Sequence, residues 1–128
     1  MIINPLQIMA YAPLTAPTGS TNPLVFTSEV YPSDGIALWV LMVRVAGAVT
    51  GTTPTLTFAV QQSNDQVTWA GVGAALAAIT AAGVQVTPYA TGTTQGAITQ
   101  TYLRVVATLG GTAPNYPLVF VDLVGQSV

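Results

Sequence analysis

Apolar and polar positions alternate most clearly over residues 55–62. Leu56, Phe58 and Val60 fall on one side; Thr55, Thr57 and Gln61 fall on the other, with Ala59 among them. A period of two marks a half-buried strand. Ser63, Asn64 and Asp65 form a turn signal, and Val67-Thr68-Trp69 starts a return strand, so the pair is predicted to be a hairpin. The alternation recurs over 98–108, where Leu103, Val105 and Ala107 oppose Tyr102, Arg104 and Val106. It recurs again over 118–124, where Val119, Val121 and Leu123 oppose Leu118, Phe120 and Asp122. Residues 36–49 differ. Over their first ten positions both alternating sets are apolar, which predicts a strand covered on both faces.

Punctuation between these runs is regular. Pro32-Ser33-Asp34-Gly35 follows a candidate strand at 24–30, and 50–54, 91–96 and 109–114 are rich in Thr, Gly and Pro. Each reads as a turn or loop. Residues 70–82 are ambiguous: alanine with Leu76 and Ile79 favours helix, whereas Gly71, Gly73 and Gly83 favour a loop. A short strand at 84–86 precedes Pro88. Short strands separated by such turns predict an all-β fold, an antiparallel β-sandwich of jelly-roll-like form, over residues 24–128.

Residues 1–23 are predicted to form an extended, proline-rich arm. Pro5, Pro13, Pro17 and Pro23 recur at short spacing, and proline withdraws ladder donors and favours extended backbone. Leu6, Ile8, Met9 and Tyr11 give this arm apolar side chains to dock, on its own domain or on a neighbour.

Composition narrows the function. Six of the 128 residues are charged: Arg44, Arg104, Glu29, Asp34, Asp65 and Asp122. About a quarter is usual. Without histidine or cysteine, there is no Ser-His-Asp or Cys-His catalysis, no disulfide and no ordinary zinc site. Four carboxylates permit a glycosidase pair by number, but Asp34 and Asp65 sit in turns, where aspartate caps its own backbone. Nothing resembles the clustered ligands of an EF-hand loop. No metal, cofactor or enzymatic activity is therefore expected. Two arginines cannot make a nucleic-acid surface. The longest strongly apolar run, 35–43, is too short for a spanning helix, so no membrane partner is expected. The first residues lack the basic start of an export signal. A surface this poor in charge predicts a chain that works assembled, as a homo-oligomer or with other subunits.

Arg44 and Arg104 stand inside apolar strands. A charge there is paired or at an interface. An ion pair with Glu29 or Asp122 on a neighbouring strand is expected, with contact to a partner subunit as the functional reading. Trp69 and Tyr89, near turns, are candidate anchors for a protein contact or for stacking on a sugar.

The run Leu56-Thr-Phe-Ala-Val-Gln-Gln-Ser-Asn-Asp-Gln-Val-Thr-Trp69, followed by Tyr102-Leu-Arg-Val-Val106 and Leu118-Val-Phe-Val-Asp122, resembles small β-sandwich proteins among the structural genes of tailed phages. Those carry a strand, a Ser-Asn-Asp-Gly turn, a tryptophan and a later Tyr-Leu-Arg-Val strand. Many are virion components, including head decoration or cement proteins. The resemblance covers about residues 55–124, and Gln66 stands where the turn glycine is usual. It implies a virion structural protein, assembled in the host cytoplasm, whose partners are the major capsid protein or other virion subunits. It brings no catalytic residues. A tail or fibre module that grips surface glycan is the alternative reading.

Overall fold

The computed structural model describes residues 2–16 and 23–127, with side chains over 9–16 and 23–126. Among these residues the strands in chain order are β1 (Ile2–Tyr11), β2 (Leu14–Thr15), β3 (Leu24–Thr27), β4 (Tyr31–Pro32) and β5 (Leu38–Ala46). They continue as β6 (Thr50–Ser63), β7 (Ala70–Gly71), β8 (Gly83–Tyr89), β9 (Tyr102–Tyr116) and β10 (Leu118–Ser127). One sheet runs β1-β10-β5-β8; the other runs β2-β9-β6-β7, with β3 and β4 also paired to β9. These pairings are antiparallel. The chain crosses from sheet to sheet so that its first and last strands lie side by side, which is jelly-roll order. The all-β sandwich expected from the alternation is the observed fold.

The core lies between the sheets. On β5 the buried set is Trp39, Leu41, Val43 and Val45; β10 contributes Val119, Val121 and Leu123. Facing them are Leu56, Phe58 and Val60 of β6 and Leu103, Val105, Ala107 and Leu109 of β9. Tyr11 of the first sheet meets Phe26 of the second edge to face, with centroids 5.6 Å apart, and ties the sheets together at one end. Tyr116 is also buried, and its hydroxyl donates to the carbonyl of Ile79. Ile79 in turn exchanges backbone hydrogen bonds with Leu56, at 2.8 and 3.1 Å. This pins the 72–82 segment, irregular and without helix, across the sandwich.

Four expectations change. The extended arm, expected to dock on its own domain or on a neighbour, is in large part a strand of its own sandwich: residues 2–11 are β1, paired with β10 from Ile2↔Ser127 to Tyr11↔Val119. Pro5 is compatible because β1 is an edge strand, where a missing donor costs no ladder bond. Residues 17–22 of that arm lie outside the described residues. Next, the expected turns at 50–54 and 109–114 are not turns. They pair with each other as the far ends of β6 and β9, from Thr50↔Asn115 to Thr55↔Gly110, with register shifts between. Gly51 and Gly111 permit this, with φ of 117° and 100°. A Cβ at Gly51 would lie 2.7 Å from the Ala113 carbonyl oxygen, and one at Gly111 would lie 2.6 Å from that of Thr53. Third, the return strand of the hairpin is at Ala70–Gly71, pairing with Gln62 and Gln61, not at 67–69. Last, β5 is covered on one face only. Its outer set includes exposed Met42 and Arg44 beside half-buried Leu38 and Val40.

Candidate assembly surface

The outer faces of the two sheets differ in chemistry. On β6 and β9 the outward positions are Thr55, Thr57, Ala59 and Gln61 beside Arg104, Val106 and Thr108, a face rich in hydroxyl and amide groups. The outward set of the other sheet is apolar. In register across it run Val84–Arg44–Phe120, Val86–Met42–Asp122 and Pro88–Val40–Val124. Val84, Val86 and Met42 are 63%, 54% and 37% exposed. Over β10, β5 and β8, the described outward positions of this face carry two charges, Arg44 and Asp122.

Neither arginine forms an ion pair among the described residues. The expected bridges to Glu29 or Asp122 are absent, and an aromatic ring takes the place of the carboxylate. The Arg44 guanidinium lies 5.1 Å from the centroid of Phe120, its direct cross-strand neighbour. Arg104 lies 4.1 Å from the centroid of Trp69, and its Nε donates to Gln61 Oε1 at 2.8 Å. A ring face attracts a cation without the full cost of desolvating a second charge. Glu29 is instead exposed before β4, where its charge joins burial in raising the Tyr31 pKa.

The other candidate contact residues divide. Met9 and Tyr89 are buried at 7% and 1% exposure, so both pack in the core of a single copy. Burial pushes the Tyr89 hydroxyl up to about 12. Tyr11 is half-buried against Phe26. Trp69 is half-buried in the turn after β6, with Arg104 over its ring. The glycan reading thus loses Tyr89, one of its two aromatic anchors. Leu6 pairs through its backbone with Leu123, and Ile8 sits at the bulge between Gln7 and Met9. The side chains of Leu6 and Ile8 lie outside the described residues. The composition of the β10-β5-β8 face escaped the sequence reading, although the doubly apolar pattern at 36–45 was its signal.

The carboxylates are dispersed. Asp65 caps its own turn: Oδ1 accepts from the Val67 and Thr68 amides, each at 2.8 Å, and from the Ser63 hydroxyl at 2.9 Å. These donors hold its carboxyl below the ordinary value. Asp34 stands in the turn after β4, at the rim of an open cleft of about 310 Å³ that it shares with Ser33 and Thr99–Thr101. A second cleft, of about 340 Å³, is formed by residues 79–85 and contains no carboxylate. Among the described residues no three acidic groups gather as metal ligands, and no helix is long and apolar enough to cross a membrane.

No protein-family model and no curated protein matches this sequence. Among solved structures, a chain in the structure of infectious bursal disease virus, Gx strain, is similar over 98% of this chain, with a TM-score of 0.51 and 15% identity. A chain in the structure of the Gt strain of that virus is similar over 99%, with a TM-score of 0.45 and 14% identity. This chain spans 33% and 36% of the length of those two, about a third. At such identity the first likeness establishes the fold, and the β-sandwich read from strand order is one that the Gx-strain chain shares.

Proposed function

We propose that the chain is a virion structural protein that decorates or cements a phage head through protein–protein contacts, with the major capsid protein or other virion subunits as partners. The observation that carries this reading is the apolar outer face of β10, β5 and β8, which a single copy leaves open. The jelly-roll fold supports it, because that architecture recurs in viral capsids. So does the resemblance of residues 55–124 to phage sandwich proteins. The role is mechanical: apolar burial at about 25 cal/mol per Å² drives attachment, ordering costs reduce it, and many copies on one shell act together. The site of action is the virion, assembled in the host cytoplasm.

Co-sedimentation of the purified chain with phage heads assembled without it tests the proposal. Binding that persists from low to high salt, and heads that then resist heating better, are expected from so few charges. Heads that leave the chain in the supernatant, or binding that collapses as salt rises, would count against it.

A further inference from the structure

We infer that the outer face formed by β10, β5 and β8 is a self-complementary surface that pairs with the same face of a second copy of this chain. The inference rests on the reading that this face meets protein, and it names the partner.

The first ground is the pattern of β5. Apart from Arg44, both of its alternating sets are apolar, as in strands covered on two sides. The chain covers only the set that contains Trp39, Leu41, Val43 and Val45. A second sheet stacked on the outer set would bury Met42, Val84 and Val86, among the most exposed large apolar residues described.

The second ground is charge. Arg44 is in register with Phe120 and Asp122 with Met42, so the two charges are diagonal neighbours on adjacent strands. Diagonal neighbours of this kind are about 7–8 Å apart. They do not pair within the chain, since Arg44 lies over Phe120. Consider a two-fold axis in the plane between two such faces that bisects the line from Arg44 to Asp122 at right angles. It sets Arg44 of each copy opposite Asp122 of the other. One cation and one anion on a face thus become two complementary contacts, the arrangement an isologous interface requires. A larger basic or acidic partner finds no matching excess of charge here. The pairs fix register more than they add affinity, while the apolar side chains supply the drive.

The test is native mass of the full chain by analytical ultracentrifugation, with circular dichroism to confirm the fold of each variant. The wild type is expected to be a dimer. Arg44→Asp and Asp122→Arg each set like charges opposite each other at both contacts, and each is expected to shift to the mass of one chain. An equimolar mixture of the two variants should recover the dimer mass, because an all-anion face then meets an all-cation face. The double variant R44D/D122R should also recover it. A monomeric wild type, single variants that remain dimeric, or a mixture that remains monomeric would each overturn the inference. A monomeric wild type that binds heads, and loses that binding in both single variants, would assign the face to a virion partner and leave the proposed function standing. A dimer that never binds heads would do the reverse.

Discussion

The Arg104 guanidinium lies 4.1 Å from the centroid of the Trp69 ring while its Nε donates to Gln61 Oε1. Three segments meet there: β9 supplies the cation, β6 the amide, and the turn after β6 the ring. Arg104→Ala is expected to lower stability by about 1–2 kcal/mol, from the lost cation–π contact and the hydrogen bond to a charged donor. Arg104→Lys should cost less but should not restore the full value, because an ammonium lacks the planar fork that stacks and donates at once. A double-mutant cycle with Trp69→Ala, read by urea unfolding, checks the contact. A coupling of about 0.5–1 kcal/mol is expected, and additive effects would show the stack to be idle.

Gly125 and Trp39 face each other across β10 and β5, both inside the core. A Cβ on Gly125 would stand 2.8 Å from Cζ3 and 2.9 Å from Cη2 of the indole. Neither atom is the end of a flexible chain, so the ring must shift as a body. Gly125→Ala is expected to destabilise by about 1–3 kcal/mol through overpacking. Trp39→Phe removes the outer ring and leaves room, so the double variant should lose less than the sum of the single losses. Denaturant midpoints of the four chains decide this; strictly additive losses would mean that the backbone, not the ring, resists the methyl group.

The sandwich was legible where one face of a strand is wet. The alternation at 55–62 places Leu56, Phe58 and Val60 in the core, as observed. It was illegible where glycine carries strands through a distortion. Gly51 and Gly111 look like punctuation in one dimension, yet they let two irregular strand ends approach each other. The proline-rich start was legible as extended backbone but not as a strand: Pro5 excludes a central strand and suits the edge that β1 occupies. At the candidate surface, both arginines could be placed inside strands from sequence. Their ring partners could not, because Trp69 reaches Arg104 from a turn 35 residues earlier and because Phe120 faces Arg44 only through the β5–β10 register. The same register puts Asp122 opposite Met42, one diagonal step from Arg44, whose guanidinium lies over Phe120 instead.

Asp65 predicts an acid limb. The Thr68 amide, the Val67 amide and the Ser63 hydroxyl hold its pKa below the ordinary 3.8. In the unfolded chain those donors are gone, so the unfolded state takes up the proton first as pH falls. The stabilisation is fully present above about pH 4 and is lost as pH drops through the folded-state value. Asp65→Asn keeps an acceptor for the turn but cannot titrate. Its melting temperature should sit below that of the wild type at neutral pH, and the gap should close between about pH 4 and the folded-state value. A gap unchanged down to the lowest pH would show that the turn owes nothing to the charge.

Tyr89 predicts the opposite limb. Burial between the sheets raises its hydroxyl from 10.0 to about 12. Burial also raises Tyr11 and Tyr116. A phenol is neutral when protonated, so the unfolded chain ionises first as pH rises. The contribution is complete below pH 10 and disappears between pH 10 and about 12. Unfolding in that window should therefore coincide with the tyrosinate absorbance of the buried rings, not follow it. Tyr89→Phe removes the titrating group and keeps the ring in the core. The variant should hold its fold to higher pH than the wild type, by circular dichroism, while the remaining raised tyrosines still set an upper limit. If both chains unfold at the same pH, ionisation of Tyr89 does not contribute to the alkaline transition.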